Sequence, residues 1–479
     1  MSQNMTDVVQ VTPALTAFIA GAQGRAPAPE QAELARRHIL DTLAAIVACR
    51  DLEPAVLARN YARSLSGGEG PSAVTILGTE DRAGLVEAVF AGAMTGHGAE
   101  INDFIPSAFV QPGPAVVAVA LALAQARRLS GAAVLRAVII GYELAGRTPK
   151  ALGVNNLRRA GVANHGIGPL FGAAATAASL LGLSEDQTAH VLTYCAQQAS
   201  GSWQWLLDVE HIEKAFVFAG MGARDGLQAA LMVEAGFRGV RDSLDHPSGW
   251  MRASIFSGGD ADRAYLIEGL GVRSELPLTA YKLYPVGGPT QPAVEALLAL
   301  RDRIGTAEVA SVLIEMPGRW QAFRDAAMPA LNLRYLAAII LLDGRLDFVS
   351  AQSLERMRGD GAVHALMDKV EIRHDPAQEA APGHPRTESA RVAVTCADGR
   401  CETAYVPHVL GFPSHPMGKA DVVAKALELM SPVLGEVRAR AVVEAVDGLE
   451  DLPQAATLID LIARRDAAPA NPDPQQEVS

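Results

Sequence analysis

The run from Gly166 to Leu183 is dominated by glycine, alanine and serine, and it stops at Leu181-Gly-Leu183. Directly after it, Ser184-Glu-Asp-Gln187 has the form of a capping box, in which serine and glutamine side chains each satisfy a free backbone N–H at a helix start. We therefore read Gly166–Leu183 as its own helix, with a second helix opening at the capping box. Side chains this small let neighbouring backbones approach closely. Alanine and leucine dominate the helix formers and aromatics make up only 5% of the chain, which suits close helix packing better than a sandwich or barrel.

Helical spacing recurs from Pro29 to Cys49, where Leu34, His38, Leu40, Leu43, Ile46 and Val47 can share one face of a helix and Pro29 sits where a first turn tolerates proline. After about Val272 the texture changes. Val309–Glu315 and Val370–His374 read as strands, and Arg391–Cys396 with Cys401–Val406 reads as a hairpin around Asp398-Gly399. Helical patterns persist between them at Thr290–Arg303 and Leu331–Leu342, then return after Pro407 at Lys419–Met430 and Glu436–Ala445. With 479 residues, 49% of them apolar, there is too much core for one ordinary domain. We expect a mainly α protein: a large all-helical domain (1–272, returning at 408–465), a smaller inserted α+β lid domain (273–407) and a disordered tail (466–479). A ligand belongs in the cleft between the domains.

Composition excludes several function classes. A formal net charge of -12 without any run of Lys and Arg would repel a phosphate backbone, so nucleic acid is not an expected partner. The most apolar stretch, Pro114–Ala124, is about half of the ~20 residues a bilayer crossing needs, and we read it as a buried helix. The first residues lack the basic start and apolar core of a signal peptide, and four scattered cysteines do not make a disulfide framework; both point to a cytoplasmic protein. Cys396 and Cys401 flank a turn and read as cross-strand neighbours rather than metal ligands. No dinucleotide fingerprint, P-loop, His-Glu-x-x-His or nucleophile elbow is present, and Gly67-Gly68-Glu69-Gly70 is a plain loop. No metal or organic cofactor is expected.

Four local patterns, in order, resemble the MmgE/PrpD family, whose members include 2-methylcitrate dehydratase, cis-aconitate decarboxylase and iminodisuccinate epimerase. The first is His97-Gly-Ala-Glu-Ile-Asn-Asp-Phe104 followed by Gln111-Pro-Gly. It resembles the family's acidic stretch and His-Pro-Gly, which implies a catalytic role for Asp103 and makes Gln111 a substrate-binding amide that cannot carry a proton. The second, Gly161-Val-Ala-Asn-His-Gly-Ile-Gly, resembles the family's Gly-rich lead into a small-residue helix and makes His165 the candidate titrating group; a structural histidine is the other reading. Such a lead supplies N–H groups and a positive dipole end to a carboxylate. The third, Glu210-His-Ile-Glu-Lys-Ala-Phe, matches the family lysine at Lys214. His211 shares its helical face if the stretch is helical. The fourth, Tyr281-Lys-Leu-Tyr-Pro-Val-Gly-Gly-Pro-Thr-Gln, matches the family's Lys-x-Tyr-Pro at Lys282, Tyr284 and Pro285, while Gln291 stands at its histidine position. Asn332-Leu-Arg-Tyr335 resembles the segment that gives the cleft a tyrosine, so Tyr335 is a candidate hydroxyl donor or a core tyrosine.

The resemblance implies a cofactor-independent lyase of dehydratase or decarboxylase type, acting on a small di- or tricarboxylate. Removing a proton or carbon dioxide beside a carboxylate builds negative charge that nearby cations must stabilise, and Lys214, Lys282, Arg158 and Arg159 are the candidates. The expected catalytic set is Asp103, His165, Lys214, Lys282 and Tyr335, with Gln111, Arg158, Arg159, Tyr284 and Gln291 binding substrate and no metal. An epimerase or isomerase of a substituted dicarboxylate is the first alternative, since it needs no acid for a leaving group. A non-catalytic binding protein on the same fold is the second. The partner expected is a small anionic carboxylate, with no nucleic acid and no membrane, and the chain is expected to form a homodimer.

Overall fold

A computed structural model describes residues 10–66, 73–252, 261–318, 320–381 and 388–463; the expected loop at 67–70 and tail at 466–479 lie outside them. The small-residue run forms the helix Asn164–Leu180, and the Ser184/Gln187 capping box is closed in both directions at the start of helix Glu185–Gln198. Helix Asn164–Leu180 lies against Gly131–Leu152, Pro112–Arg127 and Met221–Glu234. Its glycines are there because nothing larger fits: a Cβ on Gly172 would stand 2.8 Å from the Gly141 carbonyl oxygen and 2.9 Å from the Ala145 Cβ. Pro112–Arg127 is buried along almost its whole length, as its composition predicts, and no helix among the described residues is long and apolar enough to cross a membrane.

Helix Pro29–Cys49 forms as its spacing predicts. It is covered by Lys419–Leu434 from the far end of the chain, and Val422, Ala426 and Met430 join the same core as Ile39, Leu43 and Ile46. A second core gathers side chains between Val286 and Cys396. There, helices Gln291–Ile304 and Leu333–Asp343 lie against a four-stranded sheet ordered Val370–His374, Val309–Met316, Ala390–Cys396, Cys401–Val406. The first pair is parallel and the others antiparallel. The parallel pair is joined through helix Leu333–Asp343, as a parallel connection requires a crossover. Cys401 pairs with Thr395 rather than with Cys396, leaving Cys396 buried and Cys401 exposed.

Candidate active site

The residues that meet at the cleft come from four segments, each fixed by backbone contacts. The first is His97–Asp103, which follows helix Leu85–Gly96. Its underside is held by a buried ion pair: the Lys425 ammonium donates to Asp41 at 2.5 Å and to the Ile101 carbonyl at 2.7 Å. The Asn102 side chain donates to the Asp103 carbonyl at 2.8 Å and meets His97 Nδ1 at 2.6 Å. That leaves Glu100, only 2% exposed, facing inward.

Two lysines meet Glu100 there. Lys282 Nζ donates to Oε2 at 2.9 Å, and Lys214 Nζ donates to Oε1. Lys282 reaches this point because Ala280 exchanges both backbone hydrogen bonds with Phe104, at 2.7 and 3.0 Å, so the segment lies alongside the first one. Lys214 sits in the short helix Ile212–Ala215, and its backbone N–H donates to the Asp208 carboxylate at 2.8 Å. A π-turn at Phe216–Gly220 then carries the chain into helix Met221–Glu234. Such turns disturb helical register and recur at functional sites; here Phe218 lies with the histidines. His165 stacks on the Phe218 ring at 3.9 Å and meets Trp203 and Trp205 edge-on at 5.3 Å each. Its Nδ1 is 3.3 Å from Gln111 Oε1. The Lys214 ammonium lies 4.9 Å from the Trp205 ring centroid and 5.1 Å from that of Phe218, close enough for cation–π attraction.

Burial and these charges set the ionisation. Burial pushes Glu100 up, but the Lys214 and Lys282 ammonium groups outweigh it and hold the carboxyl well below its usual range. Lys214 is lowered by burial, which Glu100 offsets in part. His165 and His97 are driven well below the ordinary histidine value, by burial and then by Lys214 and His211 respectively, and His211 falls to about 3 through burial and Lys214. The centre is therefore an ionised carboxylate under two lysines, beside neutral imidazoles. If Gln111 accepts from Nδ1–H, the basic nitrogen of His165 is Nε2.

Lys214, Lys282, Glu100, His165, Gln111 and Arg158 all line one cavity of about 160 Å³. Five of these six are among the residues singled out from the sequence; Glu100 is not. Asp103, Arg159, Tyr284, Gln291 and Tyr335 do not line it. Asp103, expected in the site, is fully buried and occupied: it accepts from the Gly113 N–H at 3.1 Å and the Tyr142 hydroxyl at 2.5 Å, with His38 Nδ1 2.9 Å away. It ties the segment to the first turn of helix Pro112–Arg127, where a Cβ on Gly113 would fall 2.6 Å from its Oδ1. Tyr335 is likewise in the second core, donating to the Ser350 carbonyl at 2.6 Å. Gln291 bonds the Tyr284 N–H and the Tyr284 and Val286 carbonyls, so both its amide ends are used in holding the Lys282 loop. Arg159 is exposed and pairs with Asn156.

His97, Glu100 and His211 bring one donor atom each within 4.8 Å of one another, the one such grouping among the described residues. His97 Nε2 and both nitrogens of His211 have no hydrogen-bond partner. A divalent ion there would have to displace at least one ammonium from Glu100 and tolerate the other, an unfavourable arrangement of like charges.

The chain matches two family models along most of its length: the MmgE/PrpD N-terminal domain over residues 13–263 and the MmgE/PrpD C-terminal domain over residues 284–451. It is 24% identical over 434 residues to a cis-aconitate decarboxylase of Aspergillus terreus, covering 84% of this chain and 86% of that one. It is 25% identical over 436 residues to the cis-aconitate decarboxylase-like protein oryM of Aspergillus oryzae, covering 84% and 87%. Human cis-aconitate decarboxylase is 24% identical over 443 residues, covering 89% of each chain.

Proposed function

The chain belongs to the MmgE/PrpD family, and from that premise we propose that it is a cofactor-independent lyase that removes a proton or carbon dioxide beside a carboxylate of a small di- or tricarboxylate. The observation that carries this reading is the pair of buried ammonium groups sharing Glu100 on the wall of a cavity, next to a neutral imidazole. Together Lys214, Lys282 and Glu100 carry one net positive charge, enough to seat one substrate carboxylate. When a C–H or C–CO2 bond breaks, the electron pair left on carbon spreads toward that carboxylate, and the fixed ammonium groups stabilise it without reorganising. Because Lys214, Lys282 and Glu100 are buried, each such contact is stronger than it is in water.

His165 is the proton carrier in this reading. Held neutral, it is free to take the C–H proton in an elimination, while Lys214, whose ammonium is made more acidic by burial, gives its proton to the departing hydroxyl, which leaves as water. In a decarboxylation no base is needed, and the same acid protonates the carbon. Gln111 orients His165 and Arg158 stands at the cavity edge for a further carboxylate. The body built around residues 286–396 acts as the lid. An epimerase is the second reading. What favours it is a specific feature: Gln111 is an amide that cannot protonate a leaving group, and an epimerase has no leaving group to protonate.

Incubation with hydroxy-, unsaturated and amino-polycarboxylates in deuterated water, followed by proton spectra, separates the two. New vinyl signals or released carbon dioxide support the lyase, deuterium gained without loss of a group supports the epimerase, and no change across the panel counts against both. Lys282→Met abolishes turnover in either case while the helical circular dichroism is retained; full activity in that variant removes the site assignment.

A further inference from the structure

Beyond the ammonium pair, the cavity changes character. Its charged side chains balance: Arg158, Lys214 and Lys282 against Glu100, Asp208 and Glu388. With the histidine neutral, the lining as a whole offers no surplus positive charge to a polyanion, so each carboxylate needs a cation of its own; the ammonium pair serves one and Arg158 a second, and no cation is left for a third. Uncharged hydrogen-bonding side chains are also scarce. The described lining residues include Gln111 and His165 but no serine, threonine, asparagine or tyrosine; the Trp203 indole N–H is already donated to the Val162 carbonyl at 3.1 Å, which leaves the Trp205 N–H as the indole donor without a partner. A third carboxylate, or a hydroxyl beyond reach of the ammonium pair, Arg158 and the Trp205 N–H, would enter without a partner, which disfavours it strongly.

Apolar surface takes their place. Phe109, Trp203, Trp205 and Phe323 contribute rings, and Leu206 and Met328 continue the wall. Two of these are held at a conformational or solvation cost. Phe109 has φ of 52°, a left-handed backbone that a bulky residue rarely adopts and that marks constraint by its surroundings; the Asn164 amide holds its carbonyl at 3.2 Å. Leu206 lines the cavity while 44% exposed. Arg158 lies over the Trp203 ring, 5.7 Å from its centroid, and its Nε has no partner, so a cation stands beside the apolar wall as well as at the ammonium pair.

We propose that the substrate is a dicarboxylate carrying an alkyl or aryl substituent, with one carboxylate on Lys214 and Lys282, the other toward Arg158, and the apolar group along Trp203, Trp205 and Phe323. This rests on the lyase reading for its chemistry but not for its binding test.

Saturated alkylsuccinates have neither a leaving group nor a double bond, so they report binding alone. Calorimetry with the full chain is expected to give affinities that rise from succinate through butyl- and hexylsuccinate by about fourfold per buried methylene, with phenylsuccinate near the tight end and the tricarboxylate tricarballylate weaker than all of them. Leu206→Ser and Phe323→Ser, at positions not fully buried, should each cut the hexylsuccinate-to-succinate affinity ratio about tenfold. Succinate or tricarballylate binding as tightly as hexylsuccinate overturns the proposal, even if cis-aconitate is then turned over and the lyase reading stands. The expected affinity order without proton exchange or carbon dioxide release from any substituted or unsubstituted aconitate would support the proposal and sink the lyase reading alone.

Discussion

Glu100→Gln tests the ion cluster most directly, because glutamine keeps the size of the side chain and removes its charge. Lys214 and Lys282, with side chains 3% and 1% exposed, are left buried and facing the same neutral amide. Breaking a buried ion pair by removing one partner costs about 3–5 kcal/mol. Part of that is relieved if one lysine gives up its proton. In the native protein burial lowers Lys214 and Glu100 opposes the shift; without Glu100 the value falls further. The sign follows from linkage. Between the folded value and the unfolded lysine value near 10.4, the unfolded chain binds the extra proton, so stability rises with pH across that window, by up to about 1.4 kcal/mol per pH unit for one lysine. Urea unfolding followed by circular dichroism from pH 6 to 10 should show the variant well below the parent at pH 6 and approaching it as pH increases. Adding Lys214→Met should recover part of the loss, since one of the two unpaired ammonium groups is gone. A Glu100→Gln protein within about 1 kcal/mol of the parent at pH 6, with a parallel pH dependence, would refute the shared carboxylate.

The remaining expectations are simpler. Gly172→Ala should destabilise by about 1–3 kcal/mol through overpacking, although alanine is the better helix former by ~1 kcal/mol, because its Cβ meets the Gly141 carbonyl oxygen at 2.8 Å; a rise in thermal midpoint would contradict the close backbone approach. Tyr142→Phe deletes the 2.5 Å bond to Asp103 and should cost about 1.5–3 kcal/mol while leaving turnover near the parent value; loss of turnover at full stability would instead return Asp103 to the catalytic set. His97, His165 and His211 are all depressed by burial, the last to about 3, so their contribution to stability is present above about 6.5 and lost as pH falls below it, at no more than about 4 kcal/mol per pH unit for three groups. Their ring resonances should keep neutral shifts at pH 5.5, and titration of any of the three near 6.5 would show that the site is wetter than its burial implies.

The fold was legible where local chemistry and tertiary packing asked for the same thing. Pro29–Cys49 carries an apolar face, a proline at its first turn and a partner helix to cover it, and its ends fall where the sequence puts them. The hairpin at 390–406 was equally plain, because Gly399 adopts φ of 87° in a turn between alternating strands. What no local signal carried was which distant segment covers which face: that Lys425, 384 positions from Asp41 in the chain, closes the underside of the Glu100 segment is a fact of tertiary packing alone.

The site divides along a similar line. Lys214, Lys282, His165 and Gln111, picked out because their segments resemble family motifs, come together on one cavity wall. Carboxylates were harder. His97-Gly-Ala-Glu-Ile-Asn-Asp offers two, three positions apart, and the sequence does not say which faces the cavity. The segment has no helical or strand period to project them from; its path is set by Lys425 on the Ile101 carbonyl and by Asn102 bridging to His97. One signal was available all the same. Asp103 stands ten residues before Gly113, a glycine at a helix start whose N–H needs an acceptor, and a carboxylate spent on that N–H and on Tyr142 has little left for a substrate. Glu100 has no such neighbour in the sequence, so the lysines, which need an anion to be buried at all, are the partners left for it.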